Sequence, residues 1–436
     1  MQRREFLSSS LAAGAGALLL SGASGADEAP AGAVNVALIG AGIHGRTLAN
    51  CLLAIGGVRI CAVCDVWEYR RTAALNYLEA FDQQAVGYED YREMLDNVKG
   101  LNAVVVATPD FVHAEQTIAC LNAGLHVYCE APMAPTLAAA QAMAGAAGKT
   151  GNLLQVGYQR RSSPRYRHVE EKLLQEADLI EDITAASAQW NQSELGELGW
   201  PRRHAIPDAN LERFGYASMH EFRNWRWFRR YSAGPFATAA VHQIDVLNRL
   251  LGAPPRTVLA AGGADFFPDR ECQDNLTAIF EYPVEGRTIR AICQVHTTTH
   301  GTTGSHELLV GTAGSIRTSE NRKWERVFRE PSAFPWDEWT RKGYLAKVPW
   351  TPAAEEKPSE PAPDSDLVQV AETGIVEEYE MPLKPGKSSL HYHLENFLDA
   401  IRGRGKLTCP AEVALASEGA TLRAIEAVDA QRLLPI

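Results

Sequence analysis

Val34-Asn35-Val36-Ala37-Leu38-Ile39-Gly40-Ala41-Gly42-Ile43-His44-Gly45 governs how the rest of the chain is read. An apolar run of strand length stops at Gly40, and residues suited to a helix take over by His44. Gly40 allows a tight turn, Gly42 lets backbone come close to a phosphate, and Gly45 lets a helix pack on a strand. A helix beginning there aims unpaired N–H groups at phosphate charge. Asp65 ends the next apolar run, Val58–Cys64, 20 residues past Gly45. A carboxylate in that place accepts the ribose 2′ and 3′ hydroxyls and repels a 2′-phosphate. The spacing therefore predicts a dinucleotide site formed by Gly40, Gly42, Ile43, His44, Gly45 and Asp65, with NAD favoured over NADP. Arg70 and Arg71 read as the solvated first turn of a second helix.

The same rhythm continues outward. Apolar runs at Ala103–Thr108, His126–Cys129 and Leu153–Val156 have strand length, and helical stretches fall at His44–Ile55, Arg71–Phe81, His113–Asn122 and Leu137–Gly148. Thr136 suits an N-cap, and Gly124 and Gly151 suit C-terminal caps. Strands alternating with helices predict a parallel, doubly wound sheet over 34–157. After Gly157, strand-like runs dominate: Ile183–Gln189, Thr257–Gly262, Leu276–Glu281, Thr288–Val295 and Glu307–Val310. Two irregular insertions, near 191–224 and 319–365, interrupt them, and His391–Arg402 and Ala411–Arg432 close the chain as helices. The fold class expected is α/β: an N-terminal Rossmann domain, then an α+β domain over 158–436 with a large, open, mostly antiparallel sheet.

Hydrophobic residues make up 46% of the chain and charged residues 22%, which predicts a well-filled core. The net charge of −11 and the lack of a basic run set nucleic acid aside. Residues 1–33 are unlike the rest. Arg3-Arg4-Glu5-Phe6-Leu7, a mild apolar run from Leu11 to Leu20 and Ser24-Gly25-Ala26 describe a cleavable export signal. The arginine pair resembles a twin-arginine signal, with Gln2 where Ser or Thr is usual. About ten apolar residues cannot cross a membrane core of about 30 Å. The mature chain is expected to begin near Asp27, in the periplasm, with no membrane span. The eight cysteines are scattered and read as buried and unpaired. His391 and His393 have no ligand cluster around them and read as structural, so no metal is expected.

From the third strand onward a resemblance becomes specific. Ala107-Thr108-Pro109-Asp110, His113-Ala114 and Ala123 through Glu130 resemble the Gfo/Idh/MocA family, named for glucose–fructose oxidoreductase and inositol dehydrogenase. So do Gln155 through Arg161, Asn224-Trp225-Arg226-Trp227 and His242-Gln243-Ile244-Asp245. The resemblance covers nearly all the mature chain. It implies a sugar, cyclitol or related polyol between the two domains, and a homo-oligomer formed through the C-terminal sheets. It also implies that Thr108, Pro109, His113 and Glu130 line the cofactor site. Two positions depart from the family pattern. Its Glu-Lys-Pro is Glu130-Ala131-Pro132 here, and the aspartate of its second motif is Thr238. Of the three polar residues expected, His242 is left as the candidate acid–base group.

Tyr158, Arg160 and Arg161 follow the last Rossmann strand and are candidates for polyol or carboxylate recognition, with surface salt bridges as the alternative. Trp225 is a candidate platform for a sugar face. Asp245, three residues from His242 on a predicted helix, is a candidate substrate contact and could orient the imidazole. For His113, a cofactor contact and a purely structural place in the helix are equally compatible with the sequence. Three functions stay open: an NAD-dependent oxidoreductase acting on a sugar, glycoside or polyol; a glycoside-cleaving enzyme with permanently bound NAD; and a cofactor- and sugar-binding protein without turnover.

Overall fold

A computed structural model describes residues 33–193, 196–301, 304–349 and 376–436. The predicted export signal and residues 350–365 of the second insertion lie outside the described residues.

The first sheet is parallel. It comprises β1 (Val34–Ile39), β2 (Val58–Cys64), β3 (Val86–Tyr88), β4 (Ala103–Val106), β5 (His126–Cys129) and β6 (Leu154–Val156), in the order β3-β2-β1-β4-β5-β6. Four helices cross between neighbouring strands: α1 (Ile43–Ile55), α2 (Glu68–Glu79), α4 (Asp110–Asn122) and α5 (Leu137–Thr150). A further short helix, α3 (Tyr91–Asn97), joins β3 to β4. Thr136 caps α5 by accepting from Ala139 N, and Gly151 ends that helix in the left-handed conformation. The strand order reverses beside β1, so the crevice at the carboxyl ends of β1 and β4 is where a Rossmann sheet takes its ligand.

The second sheet has ten strands among the described residues. Its middle is β7 (Ile183–Asn191), β8 (Thr257–Gly263), β9 (Asn275–Val284), β10 (Arg287–His296) and β11 (Ser305–Gly311), extended by β12 (Gly314–Thr318), β13 (Arg326–Arg329), β14 (Ala346–Lys347), β15 (Glu377–Glu380) and β16 (Leu434–Pro435). Pairing is antiparallel except between β7 and β10. One face alternates into a core with the long helix α6 (Gly234–Leu250). The other face stays open, and Leu259, Ile279 and Ile292 line up in register across it, each more than a third exposed.

The closing helices α7 (Ser389–Ile401) and α8 (Ala411–Ala430) tie the sheets together. Leu394, Phe397 and Leu398 of α7 are buried in the same cluster as Val36 and Tyr128 of the first sheet and Leu48 of α1. His393 is fully buried, with Nε2 2.8 Å from the Val156 carbonyl and Nδ1 2.7 Å from Ser162 Oγ. Both nitrogens are therefore engaged within the protein core.

Candidate active site

The phosphate loop has the geometry its glycines require. Gly40 has φ +96°, and a Cβ there would sit 2.5 Å from the Ala107 carbonyl oxygen. A Cβ on Gly45 would meet the Gly40 carbonyl oxygen at 1.9 Å, so helix and loop touch backbone to backbone. Gly42 faces open space instead and caps α1 without a side chain, leaving the first-turn N–H groups to the cleft. Ile43, 68% exposed, and His44 also line that cleft.

The cleft has a volume of 740 Å³. One wall is the Rossmann edge, including Asp65, Thr108, Pro109 and Glu130. The other is the first insertion together with Thr238 and His242 of α6. Asp65 Oδ2 accepts from Ala41 N at 2.7 Å and Oδ1 accepts from Trp67 N at 2.8 Å. These bonds fix the carboxylate at the exit of β2 and leave each oxygen one lone pair for a ribose hydroxyl. Burial raises the Asp65 pKa, while the two N–H donors and Arg71 oppose it.

Arg70 does not belong to a solvated first turn. It lines the cleft beside Asp65, over the Trp67 ring at 5.6 Å, with a buried Nε that has no hydrogen-bond partner. Arg71 turns inward and donates to the Asp65 main-chain carbonyl at 2.6 Å.

At the other end of the cleft, Glu130 Oε1 accepts from Tyr128 Oη at 3.1 Å and lies 2.9 Å from His44 Nε2. The charge of Glu130 raises the His44 pKa. Although burial opposes it, His44 holds the Glu130 carboxyl below its usual range. His242 projects into the same region, its ring 5.7 Å from Trp190 and 5.8 Å from Tyr158. Burial, and then the Arg160 charge, lower its pKa to about 4, and its Nδ1 has no hydrogen-bond partner. The imidazole is therefore neutral at pH 7 and able to take a proton.

Several candidates occupy other places than the sequence implied. His113 borders the cleft but its nitrogens are engaged, Nε2 by the Thr108 carbonyl at 2.8 Å and Nδ1 by the Pro132 carbonyl at 3.0 Å. Burial works to lower its pKa, but the Cys129 sulfur, Asp110 and the Pro132 carbonyl outweigh it and raise it to about 10. It braces the floor of the cleft and offers no free polar atom.

Arg160 is 2% exposed and sits beneath His242, not on the wall. It bonds Glu307, Gln243 Oε1 at 2.6 Å, Ser305 Oγ at 2.9 Å and Glu320 Oε2 at 3.3 Å. Arg161 grips Asp245 bidentately at 2.8–3.0 Å, and Ser417 donates to the same carboxylate. Asp245 is thus committed to the domain junction and does not orient His242. Tyr158 donates to Glu418 at 2.8 Å and is 1% exposed. A guanidinium or carboxylate taken from water is retained where it is paired, and these four residues found their partners inside the protein.

Trp225 does line the cleft, with the Arg226 guanidinium 4.1 Å from its ring centroid. Tyr216, Phe222 and Arg223 join it from the insertion, none of them anticipated from sequence. Among the described residues, no three His, Cys, Asp or Glu side chains converge as metal ligands.

The residues present fit an NAD: a glycine cradle open at Gly42, an uncapped helix start and a carboxylate held at the second strand. Comparison with known proteins agrees. Residues 34–158 match the family model "Oxidoreductase family, NAD-binding Rossmann fold", and residues 208–432 match "Oxidoreductase family, C-terminal alpha/beta domain". The chain is 31% identical over 173 residues to an inositol 2-dehydrogenase of Salmonella typhimurium, covering 39% of this chain and 49% of that one. It thus spans about half the length of the curated relatives it matches. The fold is shared with the WlbA dehydrogenase of Bordetella pertussis, solved with NADH and UDP-GlcNAcA (TM-score 0.64, 16% identity, 93% and 98% of the two chains). It is shared also with the aldose-aldose oxidoreductase of Caulobacter crescentus, solved with glycerol (TM-score 0.66, 17% identity, 93% and 100%). Two matched domains joined in this order, over a cleft built for a dinucleotide, make the chain a member of the Gfo/Idh/MocA oxidoreductase family.

Proposed function

We propose that the protein is an exported, NAD-dependent oxidoreductase that acts on a CH–OH group of a sugar, glycoside or related polyol. The observation that carries this reading is His242: a neutral imidazole in the wall of the dinucleotide cleft, with a ring nitrogen that has no hydrogen-bond partner. The names of relatives support the substrate class, since an inositol 2-dehydrogenase and an aldose-aldose oxidoreductase both act on polyhydroxylated carbon.

The loop Gly40–Gly45 and the start of α1 would hold the pyrophosphate, and Asp65 the adenosine ribose. NAD, when bound, supplies the acceptor for the hydride lost from the substrate carbon. His242 takes the hydroxyl proton on its imidazole. Glu130 and His44 set the charge beside it, in a region where the family lysine is replaced by Ala131. Trp225 gives a sugar ring an apolar face to lie on. Cleft walls contributed by the insertion limit the access of water to the reacting atoms.

Export rests on Arg3-Arg4 and the short apolar run that follows. Association of copies through the second sheet rests on the apolar row Leu259, Ile279 and Ile292 on its open face. Sedimentation of the purified chain tests the latter, and a monomer would remove it.

Incubation of purified protein with NAD and a panel of sugars, cyclitols and glycosides tests the reaction. Accumulation of NADH with one of them is the expected result. Cleavage of a glycoside without net NADH would instead assign the bond-breaking reaction. Binding without either product would assign a protein that holds cofactor and sugar without turnover.

A further inference from the structure

We infer that the sugar taken by this cleft carries an oxyanion, a carboxylate or a phosphate ester, and that Arg226 selects it. The inference rests on the reading of the cleft as a sugar site and narrows that site to one class of sugar. The chain carries a net charge of −11, yet between Arg202 and Arg230 seven arginines stand against three acids. This segment builds the wall that faces the Rossmann edge, and Arg213, Arg223 and Arg226 all line the cleft. A cleft wall rich in one sign of charge concentrates ligands of the other. The three arginines have different stations. Arg213 lies 3.4 Å from Asp90, and Arg223 sits over the Trp67 ring at 5.1 Å, so both belong to the adenosine end. Arg226 belongs to the other end, where its charge acts on His44 of the phosphate loop and on Asp110 at the start of α4.

The acids at that end are already engaged. Glu130 is held by His44 and Tyr128, and buried Asp110 accepts from Ser232 Oγ at 2.8 Å. The uncapped start of α1 meets the phosphates of the cofactor. The charge of Arg226 therefore answers a second ligand. Its place is also fixed. It sits in the single turn Trp225–Trp227, anchored by buried Asn224, which accepts from Leu198 N at 2.8 Å and donates to the His220 carbonyl at 3.0 Å. The guanidinium lies 4.1 Å from the centroid of the Trp225 ring. Stacking uses the face of a guanidinium, whereas its planar N–H edge matches the two oxygens of a carboxylate or two of a phosphate. A sugar ring lying on Trp225 thus brings an anionic substituent to Arg226, with His242 on the same wall for the reacting hydroxyl.

The test is a binding measurement that needs no turnover. Full-length protein saturated with NADH, which cannot oxidise a sugar, is titrated calorimetrically with matched sets: glucose, glucuronate and glucose 6-phosphate, then the galactose and mannose equivalents. In at least one set an anionic sugar should bind about tenfold or more tighter than its neutral counterpart. Arg226→Gln should bring the anionic sugar down to the affinity of the neutral one and leave NADH affinity unchanged. Preference for the carboxylate or for the phosphate ester identifies which oxyanion the site takes. Neutral sugars that bind as tightly as the anionic ones in every set overturn the inference and leave the sugar site standing. An Arg226→Gln variant that loses NADH affinity also overturns it, because the guanidinium then serves the cofactor. Failure of every sugar, neutral and anionic, removes the sugar reading itself and this inference with it.

Discussion

His44 Nε2 lies 2.9 Å from Glu130 Oε1, joining the phosphate loop to the carboxylate that follows β5. The pair places a titratable cation at the start of α1, where the cofactor's charge belongs, and its partner next to the candidate proton acceptor. Half of the His44 side chain is exposed, so the pair can be read in solution.

Replacing Glu130 with Gln removes the charge that raises the His44 pKa, which should then fall, since burial and Arg226 both lower it. As the pH rises, NAD affinity should therefore weaken at a lower pH in the variant than in the unmodified protein. Tryptophan fluorescence titrations across pH measure the displacement, and two superimposable profiles would mean that His44 does not face the cofactor.

Asp65 should impose a preference for NAD over NADP, because its carboxylate would face a phosphate at the 2′ position. Asp65→Ser should narrow the preference, with Arg70 already beside it to receive the phosphate. Dissociation constants for the two cofactors provide the check. Equal values in the unmodified protein would mean that Arg70 outweighs Asp65.

His242→Asn should lower turnover by about 10²–10⁴-fold while leaving NAD affinity nearly unchanged. In the unmodified protein, the acid limb of kcat/KM assigned to this group should fall near pH 4, since burial and Arg160 keep the imidazole neutral down to there. A variant that folds, binds NAD and turns over normally would move the proton path elsewhere, with His44, which lines the same cleft, the first residue to test.

Buried groups of opposite sign set the pH dependence of stability. His242 and His393 take up protons near pH 6.5 when unfolded, yet burial keeps both neutral to about pH 4 in the folded chain, so each withdraws about 2 kcal/mol of stability by pH 4.5. Glu307, Glu325 and Glu418, whose carboxyls burial raises to about 7, act in the same window with the opposite sign, because the folded state binds their protons first. His113 adds stability that is complete below pH 6.5 and disappears as the pH rises through about 10. Urea midpoints across pH measure the balance, and relative to the unmodified protein His393→Gln should lose less stability between pH 6.5 and 4.5.

Arg3→Lys with Arg4→Lys should leave an unprocessed precursor in the cytoplasm. Fractionation and intact mass give the answer, and normal export would remove the twin-arginine assignment.

The first sheet was legible because buried parallel strands read as unbroken apolar runs. Val34–Ile39, Val58–Cys64 and His126–Cys129 are strands over the same bounds that the sequence suggests. β3 escaped notice because three residues at an edge, with Val86 half exposed, carry no such run. The site divides along a similar line. Positions set by local geometry, such as the glycine loop and Asp65, can be read from spacing. Arg160, Arg161, Tyr158 and Asp245 cannot, because what removes them from the cleft is a set of partners far along the chain, including Glu307 and Glu418. The cleft wall made by Tyr216, Phe222 and Arg223 comes from a stretch without periodicity, whose only local signal was its aromatic content.

The packing of α7 beneath the first sheet bears on the order in which the protein matures. Leu394, Phe397 and Leu398 complete a core whose other members are synthesised among the first residues of the domain. At about 5–20 residues per second, they arrive on the order of ten seconds or more after β6 has left the ribosome. Until then the nucleotide-binding half has an uncovered apolar flank, and the cradle for NAD stands on an unfinished base. Chains truncated before Ser389 should therefore bind NAD more weakly than the whole chain, which an NAD titration of the purified truncation measures.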